Sequence, residues 1–319
     1  MNLKGLHHIT AVSAEITENV RFYTEILGLR LVKKSVNQDD VSAYHLFYAD
    51  KVGTPGTDIT FFDWPHIGSN ARGTDSIAGT AFRVSSSEAL DFWSKRFESL
   101  DVDHDETQTF AGRQILPFED FEGQRLYLVN DEEADFEGEL WSRPDIPDEN
   151  SLRGFYSVIL SVPSLNDFEP ILQEVLNFEK VDQATWIEPE VDAQIFATTE
   201  EGGPGTEVWV LEQPKAPIAR LGAGGTHHVA FRVQDKETQE RWRHRIQEGG
   251  LHVSHMIDRF WFHSIYFRVS RGILFEIATD GPGFAIDEDP AALGEKLVLP
   301  PFLENRRSEI EAGLTPIAN

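Results

Sequence analysis

Gly225-Thr226-His227-His228-Val229-Ala230-Phe231-Arg232-Val233 and Gly272-Ile273-Leu274-Phe275-Glu276-Ile277-Ala278-Thr279-Asp280 decide how this chain folds. Both read as strands, rich in aliphatic and aromatic residues and opened by glycine. A helical segment and a strand carrying Tyr266 lie between them. Each stretch also has an earlier copy. Ala81–Val84 repeats Ala230–Val233 (230 − 81 = 149), and Gly123–Asp131 repeats Gly272–Asp280 (272 − 123 = 149). Pro55–Pro65 repeats Pro204–Pro214 at the same spacing (204 − 55 = 149). Three separated matches at one spacing mark a duplicated chain.

Each copy divides again. Residues 5–65 read as a β-α-β-β-β unit. A strand at Leu6–Val12 leads to a helix, with Thr17 as its N-cap and Val20, Phe22, Tyr23, Ile26 and Leu27 as its apolar face. Strands follow at Arg30–Val36, Ala43–Tyr48 and Asp58–Phe62. Residues 76–131, 151–214 and 222–284 repeat the unit. The expected fold is α+β: four βαβββ modules pairing into two barrel-like curved sheets, each around a pocket. The halves are residues 1–149 and 150–319, joined by the acidic, proline-containing stretch Asp131–Glu149. The tail 285–319 holds Leu299-Pro300-Pro301 and a short helix near Leu303–Ala312, expected on the outside.

Composition narrows the function classes. A hydrophobic fraction of 40% over 319 residues supports a sizeable core. No apolar run approaches the roughly 18 residues of a membrane span, and the N-terminus shows no signal-peptide pattern. The absence of cysteine excludes thiolate metal sites and cysteine nucleophiles, and it fits a reducing cytoplasm. The net charge, 28 − 54 = −26, disfavours nucleic acid and anionic membranes as partners. It fits either a salt-adapted host or an ordinary acidic protein.

The repeat also sorts the candidate ligands. His228 corresponds to Gly79, Glu276 to Tyr127, and His8 to Ser157 (157 − 8 = 149). Pairing the first module with the second, or the third with the fourth, leaves every set incomplete. Pairing the first with the fourth assembles His8, His228 and Glu276, and leaves Ser157, Gly79 and Tyr127 around an empty cavity. The sequence therefore favours a crossed arrangement, although a homo-oligomer in which a partner subunit supplies His8 would serve equally. Two histidines and a carboxylate with open positions suit Fe(II) that binds substrate and O2 together, with Mn(II) or Zn(II) as alternatives. A strand sends His7 and His8 to opposite faces, and likewise His227 and His228, so parity does not choose within either pair. A strand histidine is usually a surface or satisfied core residue; a carboxylate inside Leu-Phe-Glu-Ile-Ala is harder to explain without a partner.

Other residues form an outer tier. Tyr266, on the strand before Glu276, has the chemistry to relay a substrate proton, and Arg259 the charge to steady an oxyanion. Thr10 shares a strand face with His8 and suits either the pocket wall or simply the strand. The run Arg259-Phe260-Trp261-Phe262 suits either an aromatic substrate or plain core. His255 and His263 are lesser candidates; His45, His66, His104, His244 and His252 lack comparable context.

The pieces Gly5-Leu6-His7-His8-Ile9-Thr10, Val20–Leu29, Gly225–Phe231 and Gly272–Glu276 resemble the vicinal oxygen chelate superfamily of glyoxalases, bleomycin-resistance proteins and ring-cleaving dioxygenases. The resemblance covers essentially the whole chain. It points to the four-module bacterial branch of hydroquinone-type ring-cleaving dioxygenases, whose tail Leu299–Glu304 also resembles. It implies Fe(II) held by His8, His228 and Glu276, with supporting roles for His7, Thr10, His227, Arg259 and Tyr266. Catechol-cleaving relatives take ligands from their third and fourth modules, whereas Ser157 stands here at the third-module position. The implied activity is extradiol-type cleavage of a dihydroxylated aromatic with O2. A glyoxalase-like isomerase or lyase, or a non-enzymatic protein that sequesters small aromatics, are the rival readings.

Overall fold

The computed structural model describes residues 1–317. The first module comprises β1 (Leu6–Ser13), α1 (Ile16–Arg21), β2 (Arg30–Val36), β3 (Tyr44–Ala49) and β4 (Asp58–Asp63). The second comprises β5 (Ser76–Val84), α2 (Ser87–Leu100), β6 (Gln108–Phe110), β7 (Arg113–Glu119) and β8 (Arg125–Asn130). The third runs through β9 (Phe155–Val162), α3 (Leu165–Pro170), β10 (Glu179–Thr185), β11 (Asp192–Ala197) and β12 (Glu207–Glu212). The fourth holds β13 (Gly225–Val233), α4 (Lys236–Glu248), β14 (Ile257–Asp258), β15 (His263–Arg268) and β16 (Leu274–Thr279).

These strands make two eight-stranded sheets, ordered β14-β15-β16-β13-β1-β4-β3-β2 and β10-β11-β12-β9-β5-β8-β7-β6. The first sheet joins module one to module four, and the second joins two to three. The junction in each is antiparallel, β1 against β13 and β5 against β9, with a parallel neighbour on the outer side of each junction strand. His8 thus reaches the fourth module within a single chain.

The junctions carry bulges. Leu6 faces Phe231 and His8 faces Ala230, so His7 is an extra residue in β1; Thr10 faces His228 and Ala11 faces Thr226, so His227 is extra in β13. The β5–β9 junction slips at the equivalent Ala78 and Tyr156. A bulge re-aims neighbouring side chains. Both histidines of each pair therefore come into contact, contrary to the opposite-face expectation of a regular strand.

One face of each sheet packs with the helices into a shared core, through residues such as Ile9, Phe61, Tyr23, Trp93 and Trp242. The other face of each sheet encloses its own cluster. In the second sheet that space is filled by Phe110, Tyr127, Trp186 and Trp209, all buried. This corrects the expected empty cavity: a Cβ at Gly79 would lie 2.7 Å from the Tyr127 ring. Burying each of these rings contributes roughly 2–3 kcal/mol, so the second cup is a core rather than a site.

Two local expectations also change. Thr17 is not the N-cap; α1 starts at Ile16, and Ser13 and Glu122 accept the Glu15 and Ala14 amides instead. Its last turn, Phe22–Ile26, widens to a π turn that buries Phe22, Tyr23 and Ile26, and Ile171–Val175 repeats this after α3. The tail is only partly external. Phe284 and Leu293 pack into the first cup, and the fully buried Lys33 bonds the Phe284 carbonyl (3.1 Å), Asp287 (2.8 Å) and Glu288. The final helix, α5 (Arg307–Gly313), buries Ile310. Among the described residues no helix is long and apolar enough to cross a membrane.

Candidate metal centre

In the first cup His8, His228 and Glu276 converge. Their ligand-capable atoms all lie within 4.8 Å of one another, and all three residues are buried. Nε2 of His8 is 3.2 Å from Glu276 Oε2, and Nε2 of His228 is 3.0 Å from the same oxygen. Yet neither Glu276 oxygen has a hydrogen-bond partner of acceptable geometry among the described residues. The nitrogens and the carboxylate surround a common point rather than bonding to each other. Burial alone would push the Glu276 carboxyl up, but the facing His8 and His228 rings outweigh it and hold it well below the usual range. A fully buried, orphaned carboxylate is costly. A divalent cation among these three groups would remove that cost, so the donor set fits the metal that the sequence implies.

The neighbouring His7 fixes the tautomer of His8. His7 Nε2 lies 3.1 Å from the Thr279 carbonyl, which only accepts, so His7 carries its proton there. Burial lowers the His7 pKa to about 3, so the ring is neutral and its Nδ1 is an acceptor. His8 Nδ1, 2.9 Å away, must then donate, so a neutral His8, the form that can bind a metal, carries its lone pair on Nε2, aimed at the centre. The His227 and His228 Nδ1 atoms repeat the contact at 2.8 Å. His227 is likewise kept neutral by burial, with its pKa lowered to about 3.

A narrow cavity of about 30 Å3 opens beside His8 and His228. Its walls include Phe47, Phe62, Trp261 and Phe262, with Tyr266 and Arg259 supplying the polar side. The Tyr266 ring lies 5.7 Å from that of His228 and perpendicular to it, and burial pushes its phenol pKa up, so it stays protonated. Arg259 sits over the Tyr266 ring at 5.5 Å and grips Asp39 with two bonds of 2.8 and 3.2 Å. Gln38 holds the Arg259 carbonyl at 2.9 Å. These contacts tie the polar side of the cavity together.

Other candidates fall elsewhere. Thr10 is fully buried outside the cavity wall; its hydroxyl meets Thr60 at 2.8 Å, and Thr60 meets His45 Nε2 at 2.8 Å. His255 is exposed and His263 faces Asp258 at 3.4 Å, neither of them lining the cavity. His45 was passed over by the sequence reading but lines the cavity against Phe47 and Phe62, with ring centroids at 4.0 and 4.5 Å. The alternation in Tyr44–Ala49 was the available signal, because it puts His45 and Phe47 on one face.

The sequence pattern of the Glyoxalase/Bleomycin resistance protein/Dioxygenase superfamily matches residues 5–128 and 154–286. The chain belongs to this superfamily. It is 44% identical to the candidate ring-cleaving dioxygenase MhqA of Bacillus subtilis (strain 168), across 99% of this chain and 100% of that one. It is 28% identical to the chlorohydroquinone/hydroquinone 1,2-dioxygenase of Sphingobium indicum, across 97% and 95%. A crystal structure of a candidate dioxygenase from Bacillus subtilis superposes with a TM-score of 0.89 at 35% identity, covering 99% of this chain and 98% of that one.

Proposed function

We propose that the protein is a metal-dependent dioxygenase that opens hydroquinone-type or related dihydroxylated aromatic rings by extradiol-type cleavage. The observation that carries this reading is the convergence of His8, His228 and Glu276 on one buried point beside an aromatic-walled cavity. The full-length likeness to ring-cleaving enzymes supports it. A para-diol has no adjacent pair of hydroxylated carbons, so a 1,2 cut runs beside one hydroxyl rather than between two. Fe(II), or alternatively Mn(II) or Zn(II), would be held by these three residues and, as Fe(II), would bring ring and O2 together.

The chain's own groups do the rest. His7 keeps the Nε2 lone pair of neutral His8 directed at the centre, and His227 steadies the His228 ring through their Nδ1–Nδ1 contact. Phe262 packs on His8 with centroids 5.2 Å apart, helping to exclude water. The protonated Tyr266 hydroxyl is suited to hydrogen-bond a substrate oxygen and pass it a proton. A cavity of about 30 Å3 is too small for a ring, so entry requires the Asp39–Arg259 pair to part. That motion frees the guanidinium to meet an anionic oxygen.

The test is metal analysis of protein purified without air, followed by an oxygen-electrode screen with hydroquinones and catechols. O2 uptake with a hydroquinone supports the reading. Bound metal with turnover of a glutathione-type adduct and no O2 uptake favours an isomerase.

A further inference from the structure

A larger cavity, about 530 Å3, lies where the two sheets meet. That is within the roughly 300–1,000 Å3 usual for small-molecule sites. Arg72, Arg125, Arg220, Arg268 and Arg271 line it, against a single acidic lining residue, Asp75. The whole chain carries 54 acids and 28 bases, so the local balance is reversed. Arg72 is committed to Glu119 and the Gly123 carbonyl. The other four form no salt bridge among the described residues, and Arg268 donates only to the Arg271 carbonyl, at 3.2 Å. Elsewhere, arginines without a carboxylate partner fill their donors differently: Arg30, Arg241 and Arg245 bond carbonyl, hydroxyl or amide oxygens.

Gathering unpaired guanidinium groups costs repulsion energy that an acid-rich chain could readily avoid. A second observation points the same way. Gln124 is 2% exposed and lines this cavity, and neither of its amide atoms has a partner among the described residues. His227 also lines the cavity, behind its contact with His228.

We propose that this cavity binds a small organic polyanion, a molecule with two or more carboxylate or phosphate groups. Guanidinium forks match either group in bidentate fashion. The Gln124 amide completes the cradle. The inference does not depend on the ring-cleavage reading.

The test is calorimetry of the metal-loaded full chain with citrate and with pyrophosphate, at low and at physiological salt. The control is the double variant Arg220→Ala/Arg271→Ala. Both residues are exposed, so the fold should survive, and near-UV circular dichroism checks it. Metal chelation by the probes gives equal heat in both proteins and cancels. The expected result is one salt-sensitive site for at least one probe, weakened about tenfold or more in the variant. Citrate alone identifies a polycarboxylate ligand, pyrophosphate alone a phosphorylated one. Saturation by neither probe, or equal binding by variant and wild type, overturns the proposal.

Discussion

His7 Nε2 and the Thr279 carbonyl, 3.1 Å apart, tie the first strand of the chain to the last. That bond sets the His7 proton and, through the 2.9 Å contact to His8, turns the lone pair of neutral His8 towards the point it shares with His228 and Glu276. Replacing His7 by Phe removes the acceptor for His8 Nδ1. Metal affinity, measured by chelator competition, is expected to fall about 10–100-fold, the usual cost of losing such a support. Far-UV circular dichroism should not change.

Tyr266→Phe separates proton handling from metal holding. The phenol is no ligand, so metal content should stay at the wild-type level. Single-turnover ring opening is expected to slow by about 100-fold or more, in the range of general acid–base contributions.

Thr60 bridges Thr10 and His45 through two 2.8 Å contacts inside the first sheet. Thr60→Val leaves both neighbours short of a partner. Urea unfolding of the metal-free protein should show a loss of about 1–3 kcal/mol. A loss below about 0.5 kcal/mol would mean the bridge is unimportant.

Asp63, at the end of β4, gives a pH signature away from the metal. Burial, with Glu122 and Glu15 nearby, pushes its carboxyl up to about 6. Its unfolded value is about 3.9, so the folded state holds the proton more tightly. Its contribution is most favourable below pH about 4 and is lost as pH rises through about 6, by about 1–2 kcal/mol once solvent screening of the part-buried carboxyl is allowed for. Asp63→Asn should flatten that part of the stability profile in urea unfolding between pH about 4 and about 7.

Much of this was legible in the sequence because duplication left an internal control. The spacing of 149 exposed His8, His228 and Glu276 as departures from Ser157, Gly79 and Tyr127, and only the crossed pairing completed the set. The bulges were not legible, since the slip at His7 and His227 exists only once β1 lies against β13. Nor was the filling of the second cup. Trp186 and Trp209 turn inward only because the strands curl round them, and nothing adjacent to them in sequence marks that. His45 was missed because its neighbours in the cavity, Arg259 and Trp261, come from the far end of the chain.

The most direct measurement is metal stoichiometry by plasma mass spectrometry on protein purified without air, comparing wild type with His8→Ala and Glu276→Ala. The predicted result is about one ion per chain in the wild type and near-complete loss in both variants, with each still folded. Wild-type protein that reconstitutes with no metal, or a His8→Ala variant that retains its ion, would contradict a centre shared by the two ends of the chain.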